Sequence, residues 1–205
     1  MSQLEQKQDA LQVMFSRHSV RKYERGFVIP EAELNEIFQA AASAPSSWNL
    51  QHWRFLVISE QANKDRLLPI AFGQQQVSDA SVVVIVLGDL QANLAAPVVY
   101  EKASQDIREM MVKQIEGAYA NNPVVARDEA IRNASLAAMQ LMLAAKAKGY
   151  DSVPMGGYNQ AALIQEFNIP ERYVPVMMIP IGKAASPARP TERLPLDSLV
   201  IRESF

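Results

Sequence analysis

Hydrophobic positions fall into alternating helical and strand patterns along the chain, with short polar interruptions between them. Leu11, Met14 and Phe15 share one face of a short amphipathic helix, which runs into the polar segment SRHSVRKY. Pro30 opens a second helix, with Glu31 and Glu33 in its first turn and Leu34, Ile37, Phe38 and Ala41 at helical spacing. That helix breaks at Ala44-Pro45-Ser46-Ser47. Strand patterns follow at Arg54 to Ser59 and Ser81 to Gly88, separated by a short helix around Lys64 to Pro69. The second strand is continuously apolar and β-branched, which predicts cover on both of its faces.

Residues 97 to 122 read as a helix of lower hydrophobicity, with Tyr100, Ile107, Met110, Met111 and Ile115 scattered among charges. Such a helix suits a cover over a site or a surface lying on a partner. Residues 127 to 148 form the strongest helix, rich in Ala, Leu and Met nearly all round, with Lys146 and Lys148 in its last turn and Gly149 as its stop. A short strand at Tyr150 to Val153 leads into Pro154-Met155-Gly156-Gly157. Asn159 caps a further helix, and Tyr173 to Ile181 reads as the last core strand. From Lys183 onward the tail is Pro-rich and then apolar, and is expected to lie along its own subunit or a neighbour. No repeat or linker divides residues 1–205, so one domain of α+β or α/β layered type is expected.

Composition removes several functional classes. The chain has no cysteine and two histidines, His18 and His52, which excludes disulfides, thiolate chemistry and His-rich metal centres. A formal net charge of −2 offers no field for nucleic acid or an anionic membrane. The longest apolar run, Val82 to Leu87, is too short to span a bilayer, and MSQLEQKQDALQVMF lacks the pattern of a signal peptide. A cytoplasmic enzyme or binding protein is the expectation.

Four polar segments could carry chemistry. Arg17-His18-Ser19-Val20-Arg21 supplies charge-assisted donors for a phosphate, although a solvated charged turn is the plainer reading of so short a motif. The segment from Pro45 to Trp53, PSSWNLQHW, sets hydroxyls and amides beside two indoles, suited either to a polar heterocycle or to local turn bonding. The adjacent Gly156 and Gly157 let backbone N–H groups approach a ligand, or simply make a tight turn. Arg189 and Arg193 in the tail could reach an anion or remain on the surface. No G-x-G-x-x-G or Walker sequence occurs, so a doubly wound dinucleotide site is not expected.

In this order and spacing the four segments resemble the FMN-dependent nitroreductase family. The resemblance runs from about Phe15 to the C-terminus and is nearest to small bacterial NAD(P)H nitroreductases, in which WNLQHW and a segment like NASLAAMQLMLAAKAKGY also occur. It implies an α+β fold, a mostly antiparallel central sheet wrapped by helices, in an obligate homodimer with the C-terminal tail exchanged. FMN would lie at the interface, with NADH or NADPH as electron donor. Arg17, Ser19 and Arg193 would hold the phosphate, His18 would sit beside it or the ribityl chain, and Arg21 would approach the N1/O2 edge of the ring. Pro45, Ser46, Ser47, Asn49 and Gln51 would come from the second subunit. Gln76 and Asn133 would reach the flavin, while Pro154, Met155, Gly156 and Gly157 would back the ring, with the Gly156 N–H toward N5.

No side-chain acid or base is implied, because the flavin carries the chemistry. Hydride would pass from the nicotinamide and then, in a ping-pong cycle, to a nitroaromatic, quinone or similar small acceptor. The sequence departs from many relatives at His52, where they have Pro, and near Gly73, where they have Asn. Some carry Glu where this chain has Gly156. A flavin-binding sensor or storage protein, and the same fold performing dehalogenation, flavin cleavage or azoline oxidation, are the alternatives.

Overall fold

The computed structural model describes residues 9–205, so the first eight residues of the N-terminal segment discussed above lie outside the described residues. Helix α1 (Ala10–Ser16) forms as expected, but its apolar face is reversed: Val13 is buried while Leu11, Met14 and Phe15 are exposed. Among the described residues, nothing covers this stripe of three large apolar side chains. Helix α2 (Glu31–Ala42) buries Leu34, Ile37 and Ala41, the positions its period selects.

Four strands build the sheet: β1 (Trp53–Ile58), β2 (Val82–Asp89), β3 (Asp151–Ser152) and β4 (Tyr173–Gly182). Their order is β1-β2-β4-β3, and every pairing is antiparallel. Strand β2 is buried at all eight positions. Val82, Val84 and Val86 point to one layer with α2 and the long helix α7 (Pro123–Ala147). Val83, Ile85 and Leu87 point to the other, with Leu67 and Ile70 of α3 (Gln61–Ile70), Val77 of α4 (Gln76–Asp79) and Leu163 of α8 (Gln160–Glu166). Cover on both faces explains an unbroken apolar run in an antiparallel sheet. A bulge between Val86 and Leu87 shifts the β2–β4 register, and Pro175 sits at it, where the ladder tolerates a missing N–H.

Helix α7 is pinned at both ends. Asn122 accepts a hydrogen bond from the Val125 N–H at its start, with Pro123 in the first helical position. At its end Gly149 adopts φ +85°, and the N–H groups of Gly149 and Tyr150 return to the carbonyls of Lys146 and Ala145, the paired bonds of a Schellman cap. The region 97–122 differs from a single helix. It divides into α5 (Ala96–Val99) and α6 (Gln105–Tyr119), and of α6 only Ile115 and Tyr119 are buried. The 3₁₀ turn at Leu196–Ser198 is the regular element of the tail, which is exposed from residue 189 onward.

Candidate active site

The arginine-rich segment does not float as a charged turn. Ser19 bridges Ser152 of β3 in parallel, the Val20 N–H donates to the Ser152 carbonyl, and Tyr23 pairs with Ala184 beyond β4. The Tyr23 hydroxyl donates to the carbonyls of Val20 and Pro180, and burial raises its pKa far above the ordinary phenol range. The strap is therefore laid along the β3 side of the sheet. Ser19, Arg21, Lys22, Ser186 and Arg189 line a cavity of about 390 Å³ there. Two residues before Ser19, the Arg17 guanidinium has an Nη1 that is buried and, among the described residues, without a hydrogen-bond partner. A buried cationic donor left unpaired is costly, and an anionic oxygen is what would satisfy it. His18 is exposed beside it. Among the described residues, Arg193 bonds locally, to the Thr191 hydroxyl and the Glu192 carbonyl.

The glycine turn follows directly from β3. Met155 is held by the backbone on both sides, bonding Met178 in each direction, and its side chain enters the core. Gly156 and Gly157 are exposed, and among the described residues neither N–H donates to a protein acceptor. A Cβ at Gly156 would meet nothing within 4 Å. Open space and a free donor after a fixed residue are what a planar ligand needs for close approach. Buried Gln76 donates to Gln74 at 3.1 Å and to the Met155 sulfur at 3.7 Å, and Gln74 donates to the Gly157 carbonyl at 2.9 Å. Gln74 was not singled out from the sequence; its position two residues before Gln76 was the only signal. Gly73 has φ +73°, a left-handed conformation that glycine adopts without steric cost.

The PSSWNLQHW loop lies elsewhere. Pro45 is exposed, and the loop turns through the 3₁₀ segment Ser47–Asn49 with Trp48, Asn49 and Gln51 all at φ between 50° and 56°. Left-handed backbone at such residues costs on the order of 1–3 kcal/mol each and persists only where surroundings impose it. Here they do. Asn133, buried on α7, accepts from the Ser47 N–H at 2.8 Å and donates to Glu129, to its carbonyl at 2.7 Å and its carboxylate at 2.9 Å. The Ser47 hydroxyl also donates to the Glu129 carboxylate. Ser46 Oγ accepts from the Gln51 N–H, Leu50 is buried, and Tyr100 donates to the Trp48 carbonyl. Burial opposes ionisation of Glu129, but the bonds from Ser47 and Asn133 and the Arg132 charge outweigh it and hold the carboxyl below the usual glutamate range. His52 is fully buried, its Nε2 2.8 Å from the Tyr119 hydroxyl. Burial lowers its pKa, against the opposing charges of Glu129 and Asp89.

These two groups of residues lie on opposite edges of the sheet. The loop enters β1 at Trp53, which pairs with Gly88; the strap lies beside Ser152 of β3, which pairs with Ile181, itself opposite Val82, and the glycine turn follows Met155, which bridges Met178 opposite Ile85. Three strand spacings across and six residues along put the strap roughly 25 Å from Trp53, and three residues along put Met155, before the glycine turn, at roughly 17 Å. Helix α7 confirms the scale: Ala130 abuts Gly88 at one end and Lys146 pairs with Asp151 at the other, a run of roughly 24 Å. Within one chain, Arg17, Ser19, Arg21, Gln76 and Pro154 to Gly157 come together; Pro45 to Gln51 and Asn133 do not join them.

The comparisons with known proteins agree with this architecture. The chain matches the Nitroreductase family over residues 14–183. It is 48% identical over 197 residues to the protein named "Putative NAD(P)H nitroreductase YodC" of Bacillus subtilis, covering 93% of this chain and 97% of that one. It is 37% identical over 195 residues to the CLA biosynthesis enone reductase of Lactiplantibacillus plantarum, covering 90% of each. A solved structure from Exiguobacterium sibiricum, in complex with FMN, superposes with a TM-score of 0.89 at 36% identity, covering 96% of this chain and 98% of that one. Fold, sequence and the order of its polar segments together make this chain a member of the nitroreductase family.

Proposed function

We propose that the chain is an FMN-dependent NAD(P)H oxidoreductase that works as a homodimer, each flavin pocket being assembled from two copies. What supports this reading is that the arginine strap and the glycine turn lie along the β3 edge of the sheet, while the loop of hydroxyls and amides enters β1 at the other edge. A single flavin ring does not span that separation, whereas two copies related by a two-fold axis bring unlike edges together. The exposed apolar residues of α1, with Leu136 and Met139 on α7 and Leu194, Leu196, Leu199 and Ile201 in the tail, supply surface for such a dimer and for an exchanged tail.

The residues present fit FMN. Arg17 and Ser19, with Arg193 brought in by the tail, would hold the phosphate, and His18 would lie beside it. Arg21 would place a fixed cation at the pyrimidine edge of the ring, which favours the reduced, more negative cofactor. Pro154, Met155 and Gly157 would back the ring with Gln76 at its edge, and the Gly156 N–H would face N5. Pro45, Ser46, Asn49 and Gln51 would come from the partner subunit, with Ser47 and Asn133 behind them. When bound, FMN supplies two-electron hydride chemistry, taking hydride from NADH or NADPH and passing it in a second half-reaction to a nitroaromatic, quinone or similar small acceptor. Protons come from solvent, so no side chain need serve as acid or base. Among the described residues no helix is long and apolar enough to cross a membrane, and we place the enzyme in the cytoplasm.

An absorption spectrum of the purified protein, followed by anaerobic addition of each nicotinamide, tests the reading. A bound yellow chromophore that bleaches is expected, and Arg17→Ala should weaken FMN retention at least tenfold through loss of a charge-assisted bond. Tight FMN binding without turnover would mark a sensor instead, and colourless protein would overturn the proposal.

A further inference from the structure

We propose that Glu129 is a positioning residue of the flavin site: its carboxylate fixes the Ser46–Gln51 loop in the shape that completes the partner subunit's pocket. The inference rests on the homodimeric FMN reading above. Three left-handed residues in this loop, one of them the bulky Trp48, relax unless something holds them. The hold is applied at Ser47 from two sides. Its N–H donates to Asn133 and its hydroxyl to Glu129. Asn133 is itself oriented by Glu129, because an Nδ2 directed at the Glu129 carboxylate and carbonyl leaves Oδ1 facing Ser47.

A carboxylate suits the task because it accepts at both oxygens. Oε2 takes Ser47 and Asn133, while Oε1 takes the mostly exposed Arg132. His52 before β1 and Tyr119 on α6 also feel its charge. Glu129 lies one helical turn before Asn133 on the helix packed against Gly88, so the anchor is as rigid as the sheet. Ser47 is thereby taken up in holding the loop. The Asn49 amide and the Ser46 hydroxyl proton, which bond to nothing among the described residues, remain to meet the cofactor.

The test uses the FMN-loaded homodimer and the variants Glu129→Ala, Glu129→Gln and Ser47→Ala, with FMN dissociation constants read by flavin fluorescence beside dimer mass and far-UV circular dichroism. Glu129→Ala should lose on the order of tenfold in FMN affinity with mass and spectrum unchanged, and Glu129→Gln, whose amide oxygen still accepts, should recover most of it. Ser47→Ala added to Glu129→Ala should cost nothing further, since both remove one contact. Unchanged affinity in Glu129→Ala, or additive losses in the double variant, would overturn the assignment. If Glu129→Ala does not fold, Ser47→Ala decides alone: a comparable loss supports the pin and no loss removes it. Wild-type protein that holds no FMN would overturn the functional reading and this inference together.

Discussion

His52 shows how much a single buried side chain can set. It is fully buried, hydrogen-bonded to Tyr119, and its other ring nitrogen, Nδ1, has no hydrogen-bond partner among the described residues. Charging it in the fold is therefore unfavourable, and its pKa is lowered by burial. The unfolded chain binds that proton more readily, so stability is full above the unfolded value of about 6.5 and declines as pH falls from there through the folded value. Glu129 acts in the same direction but later, because a depressed glutamate loses its contribution only below its unfolded value of about 4.3. Urea midpoints measured from pH 7 to 4.5 should therefore fall in wild type and stay nearly flat in His52→Gln; equal slopes would show that His52 is not the titrating group. The polar motifs were legible at this scale because charge and hydroxyl clusters stand out in a sequence. Glu129 was not: one acid near the start of an alanine-rich helix reads as solvated until the loop is folded against it.

At the scale of elements, α7 packs directly on β2 at Gly88. A Cβ added at Gly88 would lie 2.8 Å from the Ala130 carbonyl oxygen, a backbone atom that cannot swing aside. Gly88→Ala should cost about 1–3 kcal/mol in urea unfolding and, because Glu129 and Asn133 ride on the displaced turn, should also loosen FMN. Loss of stability without loss of FMN would mean that the helix and the loop are not coupled. Helices α2, α7 and α8 and strands β1, β2 and β4 could be read from periodicity, capping residues and β-branched runs. Two readings failed for one reason. The exposed face of α1 and the division of 97–122 into α5 and α6 both concern surfaces with few partners in this chain, where hydrophobic period and burial part company. Periodicity reports that a face is apolar; it does not say which molecule covers it.

At the scale of the whole molecule, the strap and glycine turn lie along one edge of the sheet, the PSSWNLQHW loop enters at the other, and the tail buries almost nothing. Leu194, Leu196, Leu199, Val200, Ile201 and Phe205 are all exposed. Deleting residues 194–205 should shift the sedimentation mass toward a single chain and release FMN in the same step; a truncated protein that stays dimeric and yellow would contradict tail exchange. One consequence reaches beyond the fold. On the homodimeric reading proposed above, a solitary copy carries two halves that do not meet and no whole. Output per chain would then depend on how often chains meet, so a cell that makes little of this protein would get less from each molecule than a cell that makes much.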